Sequence, residues 1–217
     1  MKTTQKGFTL VEIAIVLVII GLLLGGILKG QEMITQAKIK NVMADYSGIS
    51  AAYHGYQDRY RAIPGDDLGA TRWTTPSGVN AGDGNGVVDG LYNAACSTPA
   101  EIESCHWWDH LRRAGFVSGN GTLQPYNAVT GLIGVQTGNG SNATVLGGFG
   151  ALVMCSANIP DKIAIAVDTQ MDDGQIATGT VRGQFHDAGP NPAIQTGAES
   201  SNYAETGTNV YTLCRSL

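Results

Sequence analysis

Phe8 to Leu28 is a stretch of about 21 apolar or small residues broken by a single charge, Glu12. As a helix it spans ~30 Å, the thickness of a bilayer's hydrocarbon core. A secretory signal fits it poorly, because the apolar core of such a signal is shorter and ends at a small-residue cleavage site. After Gly30 the chain becomes polar but keeps a helical period. Ile39, Val42, Tyr46, Ile49, Tyr53, Tyr56, Tyr60 and Ile63 recur at spacings of three and four, which is the apolar stripe of one helix face. Pro64, the first proline, ends the pattern near Ala62 or Ile63. The spacing predicts one long helix, apolar all round in its first half and amphipathic in its second. Tyrosines at these positions are read as a face packed on a domain.

From Pro64 to Leu217 the apolar runs are short and separated by Gly, Asn, Ser and Thr. Gly131–Val135, Ala143–Met154 and Asn209–Arg215 read as strands, the last with clean alternation. Trp107 to Phe116 reads as a short amphipathic helix stopped by Gly115. Pro160 to Asp173 reads as a helix ending at Gly174, although Ile163, Ile165 and Val167 alternate as a strand would. The expected fold class is α+β: a long amino-terminal helix, half of it transmembrane (8–28), packed on an antiparallel β-sheet domain. The helix is expected over 8–63 and the domain over 64–217.

Composition adds two constraints. The net charge is −5, only 14% of residues are charged, and the basic residues are scattered, so no nucleic-acid partner is expected. The 30 glycines are about twice the usual ~7% share and describe a loop-rich domain. Cys96, Cys105, Cys155 and Cys214 make an even set, which in a domain beyond a membrane segment points to an oxidising compartment and two disulfides. Three pairings are open. Cys96–Cys105 with Cys155–Cys214 is the expected one, since the first closes a short loop containing Pro and Ser. The second would pin the last strand and contribute ~4 kcal/mol.

Glu12 needs a partner, because a carboxylate at membrane depth costs ~2.5–3.5 kcal/mol. Lys6 lies upstream of the run and Lys29 more than four turns away. A free amine at residue 8, made by cleavage after Gly7, would supply the missing cation. Here the stretch Lys6-Gly7-Phe8-Thr9-Leu10-Val11-Glu12, followed by the apolar run, resembles the type IV pilin and type II secretion pseudopilin precursors over Met1 to Ile63. The resemblance implies a pilin-like fold and a leader of residues 1–7. It also implies cleavage between Gly7 and Phe8 by a prepilin peptidase, with methylation of Phe8. Glu12 is then implied to pair with the amino terminus of a neighbouring subunit during assembly, which also gains register by neutralising a buried charge. The implied partners are other pilin subunits in a helical filament, the prepilin peptidase and an inner-membrane assembly platform. The implied location is the inner membrane, then a periplasmic or extracellular filament. Many members carry a proline within the long helix. This chain has Gly21, Gly25, Gly26 and Gly30 instead, a segment prone to stretch or melt and spaced for close helix approach, although membrane helices also tolerate glycine as a matter of course.

The remaining candidate chemistry is sparse. Asp83, Asn85 and Asp89 alternate in a glycine-rich turn as calcium ligands do, although turns are built from the same residues. Some pseudopilins bind calcium, which keeps that cation as an expectation; no other cofactor is expected. Asp168, Asp172 and Asp173 stand near a helix C-terminus, where a cation is favoured, and Arg182 is the expected one. Cys96, Cys105, His106 and His110 are zinc-ligating types, but oxidised cysteines bind no zinc. Asn120, Asn139 and Asn142 fit the glycosylation acceptor pattern, which Asn-rich loops also produce by chance. No nucleotide loop, nucleophile elbow or metalloprotease motif occurs, so an enzyme is not expected. The alternative to a filament subunit is a membrane-anchored binding module, an adhesin or a calcium-binding domain, which would not be processed at Gly7.

Overall fold

The computed structural model describes residues 7, 9–73, 81–96, 102–138, 140, 144–186 and 189–217. Phe8, the leader lysines, Asn139 and Asn142 lie outside the described residues, and with them the Gly7–Phe8 bond. The chain divides into two compact units, Met1–Lys38 and Ile39–Leu217. Helix α1 runs Leu10–Tyr60. It stops at Arg61, which adopts a left-handed conformation (φ 55°), shortly before the residue that Pro64 restrains.

The second unit is built on a four-stranded antiparallel sheet. Its strands are β1 (Ile133–Thr137), β2 (Leu152–Pro160), β3 (Val181–His186) and β4 (Val210–Ser216), in the order β1-β2-β4-β3. Alternation along the strands serves two apolar layers. Ile133, Val135, Met154, Tyr211 and Leu213 share a core with Ile39, Val42, Tyr46, Tyr53 and Tyr56 of α1 and with Trp107 and Trp108. On the opposite face, Val153, Cys155, Ala157 and Cys214 pack with Tyr92, Val145, Leu146, Phe149 and Ile194. Covering both faces explains why β2 is buried along nearly its whole length. Tyr46 ties α1 to the sheet directly, its hydroxyl donating to the Leu213 carbonyl at 2.7 Å. The tyrosine stripe is thus a packing face.

Two further helices flank the sheet. Helix α2 (Glu103–Arg113) is followed by Gly115 at φ 79°, with the Phe116 N–H returning to the Leu111 carbonyl, a left-handed C-terminal stop. It begins four residues before Trp107, because Glu103 has a local use: its carboxylate accepts the N–H groups of Asp83 and Asp89. Helix α3 (Asp161–Met171) resolves the ambiguous segment as helix. Its Ile163, Ala164 and Val167 are buried, a three-and-four spacing that a strand would not produce.

The strands depart from expectation in three places. Ala143 lies outside the described residues; from 144 to 151 the run forms no strand, because Leu146 and Gly147 both have positive φ and fold it into a tight turn with a Val145–Phe149 bridge. β2 begins only at Leu152 and continues through an irregularity at Asn158 (φ 56°). β1 starts two residues late, since the Asn127 side chain holds a turn by accepting from the Val129 and Gly131 N–H groups. β3 has no apolar run to announce it. It is an edge strand whose outward N–H groups are already taken: Val181 donates to Asp172, Gly183 to the Ile176 carbonyl and Phe185 to Glu199. This arrangement shields the edge from another strand.

Two disulfides join Cys96 to Cys105 and Cys155 to Cys214. The second links directly opposed residues of β2 and β4.

Candidate functional site on the amino-terminal helix

The first unit consists chiefly of the apolar part of α1. Leu10, Val11, Ile13, Ile15 to Ile20, Leu22 to Leu24, Ile27 and Leu28 are all exposed. An 18-residue window of the helix is long and apolar enough to cross a membrane. Within this surface Glu12 is the single acid of the first turn. Its Oε2 accepts the Thr9 N–H at 2.8 Å and the Thr9 hydroxyl at 2.7 Å, while the Glu12 N–H donates to Thr9 Oγ1 at 3.3 Å. This is a capping box, in which a Thr N-cap and a Glu three residues later satisfy each other's open groups. The Thr-x-x-Glu spacing was the signal for it, and it assigns Glu12 a role within its own chain besides any role between chains. Glu12 Oε1 has no partner among the described residues.

Residues 2–28 match the model of the prokaryotic N-terminal methylation motif, the type IV pilin and pseudopilin signal. A search of curated proteins finds no match. The chain therefore carries the processing signal of a class of structural proteins, the type IV pilin-like and pseudopilin precursors. The motif and the apolar helix together are those of a membrane-anchored precursor.

The acidic groups of the second unit are arranged differently from the sequence expectation. Asp83 is gathered with Asp66 and Glu103, carboxylate oxygens lying within 4.8 Å of one another. Asn85 spends its side chain locally, its amide donating to Asp83 and its carbonyl accepting from Val87 N–H. Asp89 is exposed and contributes its N–H to Glu103. Asp66 accepts the N–H groups of Asn85 and Gly86. Burial raises both Asp66 and Glu103 above the usual carboxylate range, against the pull of these donors. Three carboxylates of this kind have the oxygen donor set that suits a hard cation.

Asp66 and Asp67 stand together after the helix end and serve opposite sides. Asp67 accepts the Tyr56 hydroxyl at 2.6 Å and pairs with Arg72 at 2.6 Å. Just upstream, the Gly65 N–H donates to Nδ1 of the buried His110 at 2.9 Å. With that nitrogen taken and Cys96 bonded to Cys105, the Cys/His group is not a zinc site.

Asp168, Asp172 and Asp173 also converge; Arg182 forms no direct ion pair with them, although its charge adds to the Thr178 and Gln175 donors that hold Asp173 below the usual carboxylate range. Arg182 donates to the Leu146 carbonyl and lies over the Phe149 ring. The acids take neutral donors instead. Asp172 accepts from the Thr180 and Val181 N–H groups, Asp173 from Gln175 and Thr178, and Asp168 from Tyr203 and Gly174. Asp168 is fully buried, and burial pushes its carboxyl up to about 6. A carboxyl raised by folding stabilises the protein fully below its unfolded value, and that contribution is lost as pH rises through the folded value. Between pH 5 and pH 7.5 the detergent-solubilised chain should lose about 1.5 kcal/mol from this group. Asp168→Asn, which mimics the neutral acid, should flatten the melting temperature across that window. An unchanged slope in the variant contradicts the assignment.

Proposed function

We propose that this chain is a structural subunit of a type IV pilus or type II secretion pseudopilus filament, cut after Gly7 by a prepilin peptidase and assembled through α1. The observation that carries the reading is the methylation motif at residues 2–28 set on a helix whose apolar side chains are exposed. A helix apolar all round is stable in lipid or among copies of itself, not in water. In this reading the precursor waits in the inner membrane, meets the assembly platform there, and moves into a periplasmic or extracellular filament. The two disulfides suit an oxidising compartment. Removal of the leader would place a new amine at Phe8, four residues before Glu12. Glu12 Oε1 would receive the amine of a neighbouring subunit while Oε2 stays on Thr9.

Replacing Glu12 tests this. Glu12→Ala should still be processed and should accumulate in the membrane, yet filaments sheared from the cells should contain at least ~10-fold less of it, the effect of losing a desolvated charge pair. Wild-type filament content in the variant would remove Glu12 from the assembly mechanism.

A further inference from the structure

An asparagine followed by glycine loses its amide readily, because glycine has no side chain to hinder its own nitrogen from reaching the asparagine carbonyl carbon. The sequence holds three such pairs, Asn85-Gly86, Asn120-Gly121 and Asn139-Gly140; Asn139 lies outside the described residues. The structure treats the other two oppositely. Asn85 is locked, its amide donating to Asp83, its carbonyl accepting from Val87, and the Gly86 N–H bonded to Asp66 Oδ2 at 2.7 Å. Asn120 is exposed. Neither its side chain nor the Gly121 N–H makes a hydrogen bond among the described residues. A Cβ placed on Gly121 would meet nothing within 4 Å, so a ring can close there without a clash.

A second observation concerns the neighbour of this loop. Arg112, on α2, is half-buried and forms no ion pair among the described residues. Its Nε is buried without a partner, and burial disfavours its charge. The acid that acts on it electrostatically, Asp109, is bonded instead to Arg113 at 2.6 Å. Arg112 touches the loop on both sides of Asn120. Its Nη1 donates to the Gly121 carbonyl at 2.7 Å, and its Nε stands 3.4 Å from where a Cβ on Gly119 would lie. A guanidinium partly removed from water and lacking a counter-ion gains from a carboxylate placed beside it.

We infer that Asn120 is a self-modification site, converted by spontaneous deamidation into the acid that pairs with Arg112. The Gly121 nitrogen, giving up its proton, attacks Cγ of Asn120, and the side-chain amide leaves as ammonia. The five-membered imide that results takes up one water at either carbonyl. It opens to aspartate or isoaspartate, each adding one negative charge, and no oxidant or cofactor is required. The inference is independent of the filament reading.

The test is a time course of the detergent-solubilised full-length chain in mildly alkaline buffer, beside the same chain reduced and unfolded in urea. Peptide mass spectrometry with fragmentation follows each site. In the unfolded chain Asn85 and Asn120 should convert at similar rates. In the folded chain Asn120 should keep that rate within about threefold, whereas Asn85 should slow at least about tenfold, the effect of holding the Gly86 N–H on a carboxylate. Asn120→Asp should melt about 2 °C above the parent at low salt, and this gain should vanish when Arg112→Gln is added. Asn120 as slow as Asn85 in the folded chain, Asn85 as fast as Asn120, or a glycan on Asn120 in the native protein would overturn the site. No gain from Asn120→Asp, or a gain that survives Arg112→Gln, would overturn the pairing.

Discussion

Asp67→Ala should lower the stability of the detergent-solubilised chain by about 3 kcal/mol, or roughly 6–12 °C in melting temperature. The carboxylate is buried and serves three donors: the Tyr56 hydroxyl, the Arg72 guanidinium and the Gly69 N–H. Truncation strands a phenol with no exposed surface and leaves a cation only about a third exposed, which sets the loss at the lower end of ~3–5 kcal/mol for a broken buried pair. Arg72 also lies over the Tyr60 and Trp73 rings, so the loss spreads through the aromatic group at the end of α1. Asp67→Asn keeps an acceptor and should cost less. Burial alone would raise the Asp67 carboxyl, but the donors outweigh it and hold it below its ordinary value. Its contribution is therefore present above the unfolded carboxylate value and is lost as pH falls through the folded one. The alanine variant should accordingly be less sensitive to acid than the parent. An alanine variant melting within about 1 kcal/mol of the parent would mean that Tyr56 and Arg72 find other partners.

The second large effect belongs to the Cys155–Cys214 bond. It spans 59 residues, a loop whose closure in the unfolded chain is worth ~4 kcal/mol. Both cysteines are fully buried in the layer opposite the helices, so substitution by alanine keeps that layer apolar and isolates the cross-link. Cys155→Ala/Cys214→Ala should melt roughly 8–16 °C below the parent. Removing Cys96–Cys105, with a separation of 9, should cost only ~2.5 kcal/mol in the same framework. Melting of both variants alongside the parent, under non-reducing conditions, checks the ordering. Equal losses would show that local packing rather than loop closure controls these bonds.

The parts of the fold that could be read from the sequence are those with long periodic patterns. The stripe from Ile39 to Tyr56 has several turns in which to repeat, so its helix and buried face were plain. β4 alternates cleanly and was plain for the same reason. β3 was not, because Arg182, Gly183 and Gln184 interrupt it and its edge is satisfied by side chains from distant segments. The 144–151 run was misleading, since apolar content says nothing about the positive φ angles at Leu146 and Gly147 that bend it. The amino-terminal site was legible as a motif, and Thr9-x-x-Glu12 carried its capping geometry in its spacing. The gathering of Asp66 and Glu103 around Asp83 was not legible, because those acids are far apart in sequence and meet only when the 81–90 segment packs against the start of α2.

The most direct measurement is the intact mass and amino-terminal sequence of the protein taken from its native membrane, with and without the prepilin peptidase. The filament reading predicts a chain beginning at Phe8 and carrying one methyl group, formed only when the peptidase is present. A chain still beginning at Met1, or cut near Gly30 by a signal peptidase, would contradict it and favour an anchored or secreted binding domain.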